Sequence, residues 1–560
     1  MEATKRLRIL QGFIILIFCG VAFRLGVLQI VKDDIYRAQA ASGISKDAEL
    51  KRGDIYLQGS DGLFVAATEA VFYTVAIDSR KIVDSTAVYE FLNREFALSR
   101  ADFNAKTRDV SDPFEEVARR VSEERYLALE QIAPVGIIFV PNTDRYYPGG
   151  TLASHVIGFL GDSAGGRKGS YGIEQEYENI LAEETTFAPT SLFESFRGGL
   201  KYGTGESAVV LTIDAALQTY VEDVLDHTLE QYFTARGGAI VMDPRTGRIL
   251  AMAGRPTFDP NDYQNVSSEK AYINPNTKNQ YEMGSVVKPL TFLAAFNAGA
   301  VRPTDTYFDS GYRKIDGYTV NNHDKKGRGT IPLQEILNQS LNTGVIHLME
   351  KMGMSTFSAF FTSLKLGEKT GIEVQETPGN IKNLSSKYEI DHATASFGQG
   401  IGVTPIGLIR ALSTVANSGV EPMPYLVEEV RHADGTVTKH ADNSGERVAS
   451  EVAAAQISKM LVTVVDDALL QGKGKITGYS VGAKTGTAQL PNPNGAGYID
   501  AYLHSFFGYA PATNPKFIVL LYMERPVGAA FSSISLTPPF KDIMTYALQY
   551  YQIPPDRQTQ

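Results

Sequence analysis

The chain has 560 residues, 43% of them hydrophobic and 21% charged, a length that suits two to four domains and a composition that is globular rather than disordered. A formal net charge of −10 with no long basic run argues against a nucleic-acid partner. The single cysteine, Cys19, excludes an internal disulfide and a thiolate metal cluster; the eight histidines form no His-Glu-x-x-His, so neither a metal nor another cofactor is expected.

The first element is the apolar run "ILQGFIILIFCGVAFRLGVLQIV", residues 9–31. As a helix it would be about 35 Å long, enough to cross a bilayer. Lys5, Arg6 and Arg8 precede it, which predicts a cytoplasmic tail of residues 1–8 and an exported remainder. The run is too long for a signal-peptide core, so an uncleaved anchor is expected, with Arg24 reaching the outer interface.

Beyond the anchor, Gly59, Asp61 and Gly62 between β-rich runs predict a hairpin, and residues 84–131 show helical spacing. A polar linker over about 183–206 leads to "SAVVLTIDAALQTYVEDVL", a strand followed by a helix capped by Asp214. "RGGAIVMDPRTGRILAMAG" reads as a second hairpin. Helices are predicted around 285–298, 333–351 and 405–417, late strands in "YSVGAKTGTAQL", "SFFGYAPA" and "KFIVLLYME", and a last helix over about 537–551. Hairpin, helices and late strands together predict an α+β domain with an antiparallel sheet.

Three serines compete as nucleophile. Ser163 sits in "GDSAG", but the glycine-rich "GGRKGSYG" that follows cannot form the helix a nucleophile elbow needs. Ser267 precedes Lys270 by three, in a polar stretch that would not desolvate a lysine. Ser285 precedes Lys288 by three in "EMGSVVKP", and the apolar "LTFLAAF" follows directly. On a helix, residues three apart share a face, so the Ser285 hydroxyl and Lys288 amine can meet. A helix N-terminus favours an oxyanion and disfavours an ammonium. A free lysine is a poor base at neutral pH, and lowering its pKa by roughly three units costs about 4 kcal/mol, which burial and a nearby cation can supply. Pro289 has no N–H for the Ser285 carbonyl, which predicts a locally irregular turn.

An acyl-transfer site also needs a proton relay and a cationic strand. Ser340-Leu341-Asn342 is the chain's one Ser-x-Asn. Lys-Thr-Gly occurs at Lys369-Thr370-Gly371, which reads as a surface turn, and at Lys484-Thr485-Gly486-Thr487, within small and apolar residues where glycine permits close approach.

Ser-x-x-Lys, Ser-x-Asn and Lys-Thr-Gly-Thr, in that order, resemble the penicillin-binding transpeptidases of peptidoglycan synthesis. "LTIDAALQ", "GGAIVMDPRTGRILAMAGRPTFDPN", "GQGIGVTPIGLIRALSTVANSG" and "AKTGTA" extend the likeness over about 210–551. "KRGDIY", "RYYPGG" and "GIEQEYENIL" resemble the pedestal of the class B, monofunctional branch. Two departures stand out: Met283 where the family often has proline, and "RGDIYLQGSDG", which keeps only the start and final glycine of the pedestal motif.

The resemblance implies a single N-terminal transmembrane helix, an elongated mixed pedestal domain over 45–206 that serves dimerisation or partner contacts, and a β-lactamase-like transpeptidase domain over 207–553 whose central antiparallel sheet is flanked by helices. It implies a stem-peptide substrate carried on lipid-linked precursors and ending in D-Ala-D-Ala. Ser285 would attack, Lys288 serve as base, Ser340 relay a proton and Asn342 orient the acyl chain or Lys288. Lys484, Thr485 and Thr487 would bind the terminal carboxylate, with Gly486 in the same strand, and the N–H groups of Ser285 and Thr487 would hold the oxyanion. β-Lactams would acylate Ser285. Expected partners are a membrane-embedded SEDS-type glycosyltransferase and proteins of the divisome or elongasome. The location would be the cytoplasmic membrane with the catalytic domain outside, and a division role is favoured. The rival readings are a D,D-carboxypeptidase or β-lactamase, with Glu376 as deacylating base, and a β-lactam sensor or scaffold.

Overall fold

The computed structural model describes residues 52–109, 114–163, 166–182, 207–441 and 445–558. The apolar run at 9–31, with Cys19 and Arg24, and the linker at 183–206 lie outside them. Among the described residues no helix is long and apolar enough to cross a membrane. The chain divides into two units, one holding Glu69–Tyr146 and the other Gly53–Thr68 with Tyr147 onward.

β1 (Asp54–Gly59) and β2 (Gly62–Ile77) form the predicted hairpin, with Gly59 opposite Gly62 and Ser60-Asp61 as its two-residue turn. In the first unit the latter part of β2 pairs antiparallel with β3 (Glu115–Ser122), and β4 (Ile137–Tyr146) also pairs β2. α1 (Ser85–Phe96) starts where the Asp84 carboxylate accepts from Thr86 N and Ala87 N, and it buries Val88, Phe91 and Leu92 against Val75, Ile77 and Val121. The prediction of helix throughout 84–131 fails at 115–122. Those residues complete a ladder with β2, and pairing there outweighs the helical propensity of a Glu- and Arg-rich stretch.

In the second unit β5 (Ala208–Asp214) lies parallel to β1, and α2 (Ala215–Gln231) follows with Asp214 as its cap, as predicted. β6 (Gly237–Met242) and β7 (Ile249–Arg255) make the second hairpin. Among the helices that follow are α3 (Lys288–Asn297), α4 (Asn342–Met352) and α5 (Pro405–Ala416). The chain ends in β8 (Gly482–Pro491), β9 (Tyr498–Ala510), β10 (Phe517–Glu524) and α6 (Ser532–Tyr550).

These late strands join the hairpin in a five-stranded antiparallel sheet of order β8-β9-β10-β6-β7. β10, β6 and β7 are buried on both faces, which is why they read as nearly unbroken apolar runs. Along β10, Phe517, Val519, Leu521 and Met523 pack with α2 and α6, whereas Ile518, Leu520 and Tyr522 face the core that holds α3, α4 and α5. α6 begins at Ser532, five residues before the prediction, and passes through Pro538 and Pro539. Each interior proline costs about 3 kcal/mol. Leu536, Phe540, Ile543, Met544 and Leu548 are all buried, at about 1.5–3 kcal/mol each, and their sum exceeds that cost.

Candidate active site

Gly284–Val287 forms a 3-10 turn leading into α3. Pro289 has no N–H, so the Ser285 carbonyl accepts instead from Lys288 N, one residue nearer, and the turn tightens as predicted. Gly284 holds φ at +64°, and a Cβ there would lie 3.0 Å from the Ala488 Cβ of β8. Ser285 is half-buried in this first turn.

Lys288 is fully buried. Its Nζ donates to the Ser340 carbonyl at 2.6 Å and to Asn342 Oδ1 at 2.9 Å, with Ser340 Oγ at 3.4 Å. Burial, and then the charge of Lys484, hold its pKa well below the ordinary lysine value. A neutral amine has two N–H groups, and the carbonyl and the amide oxygen use both. The lone pair is left to take a proton.

The Ser340 carbonyl is available because the helix predicted over 333–351 is broken. Gln334–Asn338 is one short helix, α4 is the next, and between them Ser340 takes φ +55°, a left-handed conformation rare outside glycine. In a continuous helix that carbonyl would serve the N–H four residues on.

β8 is the edge strand of the sheet. Alternation turns Lys484 and Gly486 toward the Ser285 turn, and Ala483, Thr485 and Thr487 toward the α6 side. Lys484 Nζ donates to Ser340 Oγ at 3.0 Å and to the Thr485 carbonyl at 3.1 Å. It is buried, which lowers its pKa to about 7. Ser340 Oγ thus lies between two amines. Thr487 Oγ1 accepts from Ser532 N at 3.1 Å, at the start of α6, and donates to Ser532 Oγ at 3.3 Å.

Gly486 closes the strand onto the nucleophile turn. A Cβ there would meet Ser505 Oγ at 2.3 Å, the Met283 carbonyl at 2.7 Å and Val286 N at 3.1 Å. Ser505, buried in β9, donates to the Met283 carbonyl at 2.7 Å. Met283 itself is fully buried, and its carbonyl bond to Ser505 fixes the entry to the turn at the position where the family often has proline.

The structure therefore gathers Ser285, Lys288, Ser340, Asn342, Lys484 and Gly486 in one place, with Thr485 and Thr487 on the opposite face of the same strand. The other candidates lie in plainer settings. Ser163 Oγ donates to the Gly166 carbonyl inside a β-hairpin. Ser267 and Lys270 are exposed. Lys369 is exposed, and the Thr370-Gly371 turn is held by Glu376, whose carboxylate accepts from Thr370 N, Thr370 Oγ1 and Gly371 N, each at 2.8 Å. Sequence reasoning missed Ser505 and Ser532. A lone hydroxyl in the apolar run "HSFFGYA" is the one signal that could have marked Ser505.

Known proteins resemble the chain in sequence and in fold. Residues 237–545 match the penicillin-binding protein transpeptidase domain, and residues 48–187 the penicillin-binding protein dimerisation domain. The chain is 28% identical to stage V sporulation protein D of Bacillus subtilis, over 99% of this chain and 87% of that protein. It is also 28% identical to peptidoglycan D,D-transpeptidase FtsI of Escherichia coli, over 79% and 73%. Penicillin-binding protein 3 of Mycobacterium tuberculosis, solved in complex with ampicillin, superposes with a TM-score of 0.66 at 26% identity, covering 75% of this chain and 92% of that one. The chain belongs to the penicillin-binding protein transpeptidase family.

Proposed function

We propose that the chain cross-links peptidoglycan stem peptides by a serine acyl-enzyme mechanism. The observation that carries this is Lys288, buried with both donors committed and a second amine beside it. Lys288 takes the Ser285 proton as Ser285 attacks the penultimate D-Ala carbonyl. The N–H groups of Ser285 and Thr487 hold the oxyanion, typically worth a few kcal/mol each. Ser340, in contact with Lys484 and near Lys288, passes the proton to the departing D-Ala. The terminal carboxylate is received along the open edge of β8, from Lys484 on one face of the strand and Thr485 and Thr487 on the other. An amine of a neighbouring strand then takes the acyl group from Ser285, and β-lactams stop at that ester.

A hydrolase would need a base to activate deacylating water. Glu376 does not fit that role, because its carboxylate is spent on the Thr370-Gly371 turn. We read residues 9–31 as a single membrane anchor with tail 1–8 in the cytoplasm, residues 45–206 as the pedestal and residues 207–553 as the catalytic domain outside the membrane. The Lys5, Arg6 and Arg8 cluster supports that orientation. The pedestal, whose residues match the penicillin-binding protein dimerisation domain, would serve a SEDS-type glycosyltransferase of the divisome.

Labelling with a fluorescent penicillin tests the mechanism. Wild type is expected to carry a long-lived adduct and Ser285→Ala none. An adduct on Ser285→Ala, or rapid release from wild type, refutes the reading.

A further inference from the structure

α4 begins without a cap of its own. Its N-cap residue is Leu341, which has no side-chain acceptor, yet the first helical residue is Asn342. The missing acceptor comes from elsewhere in the chain. Asn322 Oδ1 accepts from Thr343 N at 3.2 Å, which is how a helix N-terminus is normally satisfied by its own Ser, Asp or Asn. Asn322 is itself buried and held by a carboxylate. Its Nδ2 reaches both oxygens of Asp309 at 3.1 Å. Asp309 also accepts from Gly311 N at 2.9 Å and from Thr343 Oγ1 at 2.8 Å. Asp309 and Asn322 are each about 1% exposed, so every one of these bonds forms away from water, where a lost partner costs about 1–3 kcal/mol.

The consequence reaches the site through the neighbouring residue. With Asn322 pinned, the carbonyl of Asn321 is pinned too, and it accepts from Asn342 Nδ2 at 3.1 Å. An amide whose nitrogen faces a carbonyl must turn its oxygen the other way. That oxygen is the one Lys288 Nζ bonds at 2.9 Å. A reversed amide would set an NH2 group against the amine.

We propose that Asp309 and Asn322 are positioning residues for acyl transfer: they cap α4 from outside and fix the orientation of the Asn342 amide, and thereby the direction of the Lys288 lone pair. The inference rests on the reading of Lys288 as the base. Asp309 and Asn322 touch neither substrate nor the reacting atoms.

The test is the second-order rate of acylation by a fluorescent penicillin across pH 5–10, on the full chain, well below its unfolding temperature. Asn322→Ala is expected to acylate roughly 10- to 100-fold more slowly, the scale of a catalytic group misplaced by about 1 Å. The acidic midpoint of its profile should move to lower pH, because Lys288 loses an acceptor that favours its charged form. A loss of folded protein would scale the whole curve without moving the midpoint. A rate within twofold of wild type at an unmoved midpoint overturns the proposal. If Asn322→Ala does not fold by circular dichroism, the exchange pair Asp309→Asn with Asn322→Asp decides. It keeps one carboxylate and one amide in contact, and an acceptor for Thr343 N. A wild-type profile supports the proposal, and a folded protein with a tenfold loss overturns it. Persistent labelling of Ser285→Ala would instead sink the acyl-enzyme reading itself, so the two failures are distinguishable.

Discussion

Replacing Lys484 by methionine should change when Lys288 can act, not merely how fast. Ser340 Oγ is 3.4 Å from Lys288 Nζ and 3.0 Å from Lys484 Nζ, so the two nitrogens are at most about 6.4 Å apart. Two unit charges at that separation repel by about 2.6 kcal/mol at an effective dielectric of about 20, equivalent to about two pH units. Burial of Lys288 persists in Lys484→Met, but the Coulomb contribution disappears. The acidic midpoint of β-lactam acylation should therefore rise by one to two units, while the plateau falls because a carboxylate contact is lost. Stability should respond in the opposite sense. With its pKa lowered to about 7 from 10.5, Lys484 costs the fold up to about 5 kcal/mol at low pH, a cost relieved as pH rises from about 7 to 10.5. Methionine removes that cost and loses two hydrogen bonds, so a net gain of about 2 kcal/mol is expected at pH 6, read by chemical denaturation. Acylation rates across pH 5–10 give the midpoint. A uniform drop in rate with the midpoint within about 0.3 unit of wild type would refute the electrostatic coupling and leave Lys484 as a contact only.

Three further outcomes follow from the same geometry. Gly486→Ala drives a Cβ into the Met283 carbonyl and Val286 N, so acylation should fall about 100-fold with a stability loss of about 1–3 kcal/mol, measured by labelling and thermal unfolding. Ser505→Val takes the side-chain donor from the buried Met283 carbonyl, which keeps its 3-10 partner in the turn, and should cost about 0.5–1.5 kcal/mol; an unchanged unfolding midpoint would show that the bond is idle. Arg410 and Glu421 form a buried ion pair at 3.6 Å, and burial, partly offset by Arg410, raises the Glu421 carboxyl to about 7. A carboxyl raised in the folded state makes stability fall as pH climbs from about 4.5 to 7, and this slope should vanish in the double variant Arg410→Met with Glu421→Leu, itself neutral or more stable, whereas either single change costs about 3–5 kcal/mol.

Much of this was legible in advance because it is local. The Asp214 cap, the Ser60-Asp61 turn and the 3-10 distortion at Pro289 each follow from a few adjacent residues. The three motifs carried the site because each short run brings its own geometry. What escaped is long-range. Nothing near Ser340 announces a left-handed residue, since the break is held by bonds from Lys288, Lys484 and the chain around Asn322. Nothing near Glu115 announces a strand, since its partner is β2, some forty residues away. The start of α6 escaped because Pro538-Pro539 reads as a barrier until the burial of Phe540 is known.

The contact between Gly486, Ser505 and Met283 decides which wall of the cleft can give. At Gly486 the strand bearing Lys484 approaches the turn bearing Ser285 too closely to admit a Cβ, and the Ser505 hydroxyl bonds the Met283 carbonyl beside it, so strand and turn are held together as one block. The opposite wall, Ser340 and the start of α4, is bonded to that block through the amines of Lys288 and Lys484. A bulky acylating agent must therefore make room by displacing the helical wall and breaking the lysine contacts that ready Ser285. Ligand size and nucleophile activation are set against each other in the architecture itself.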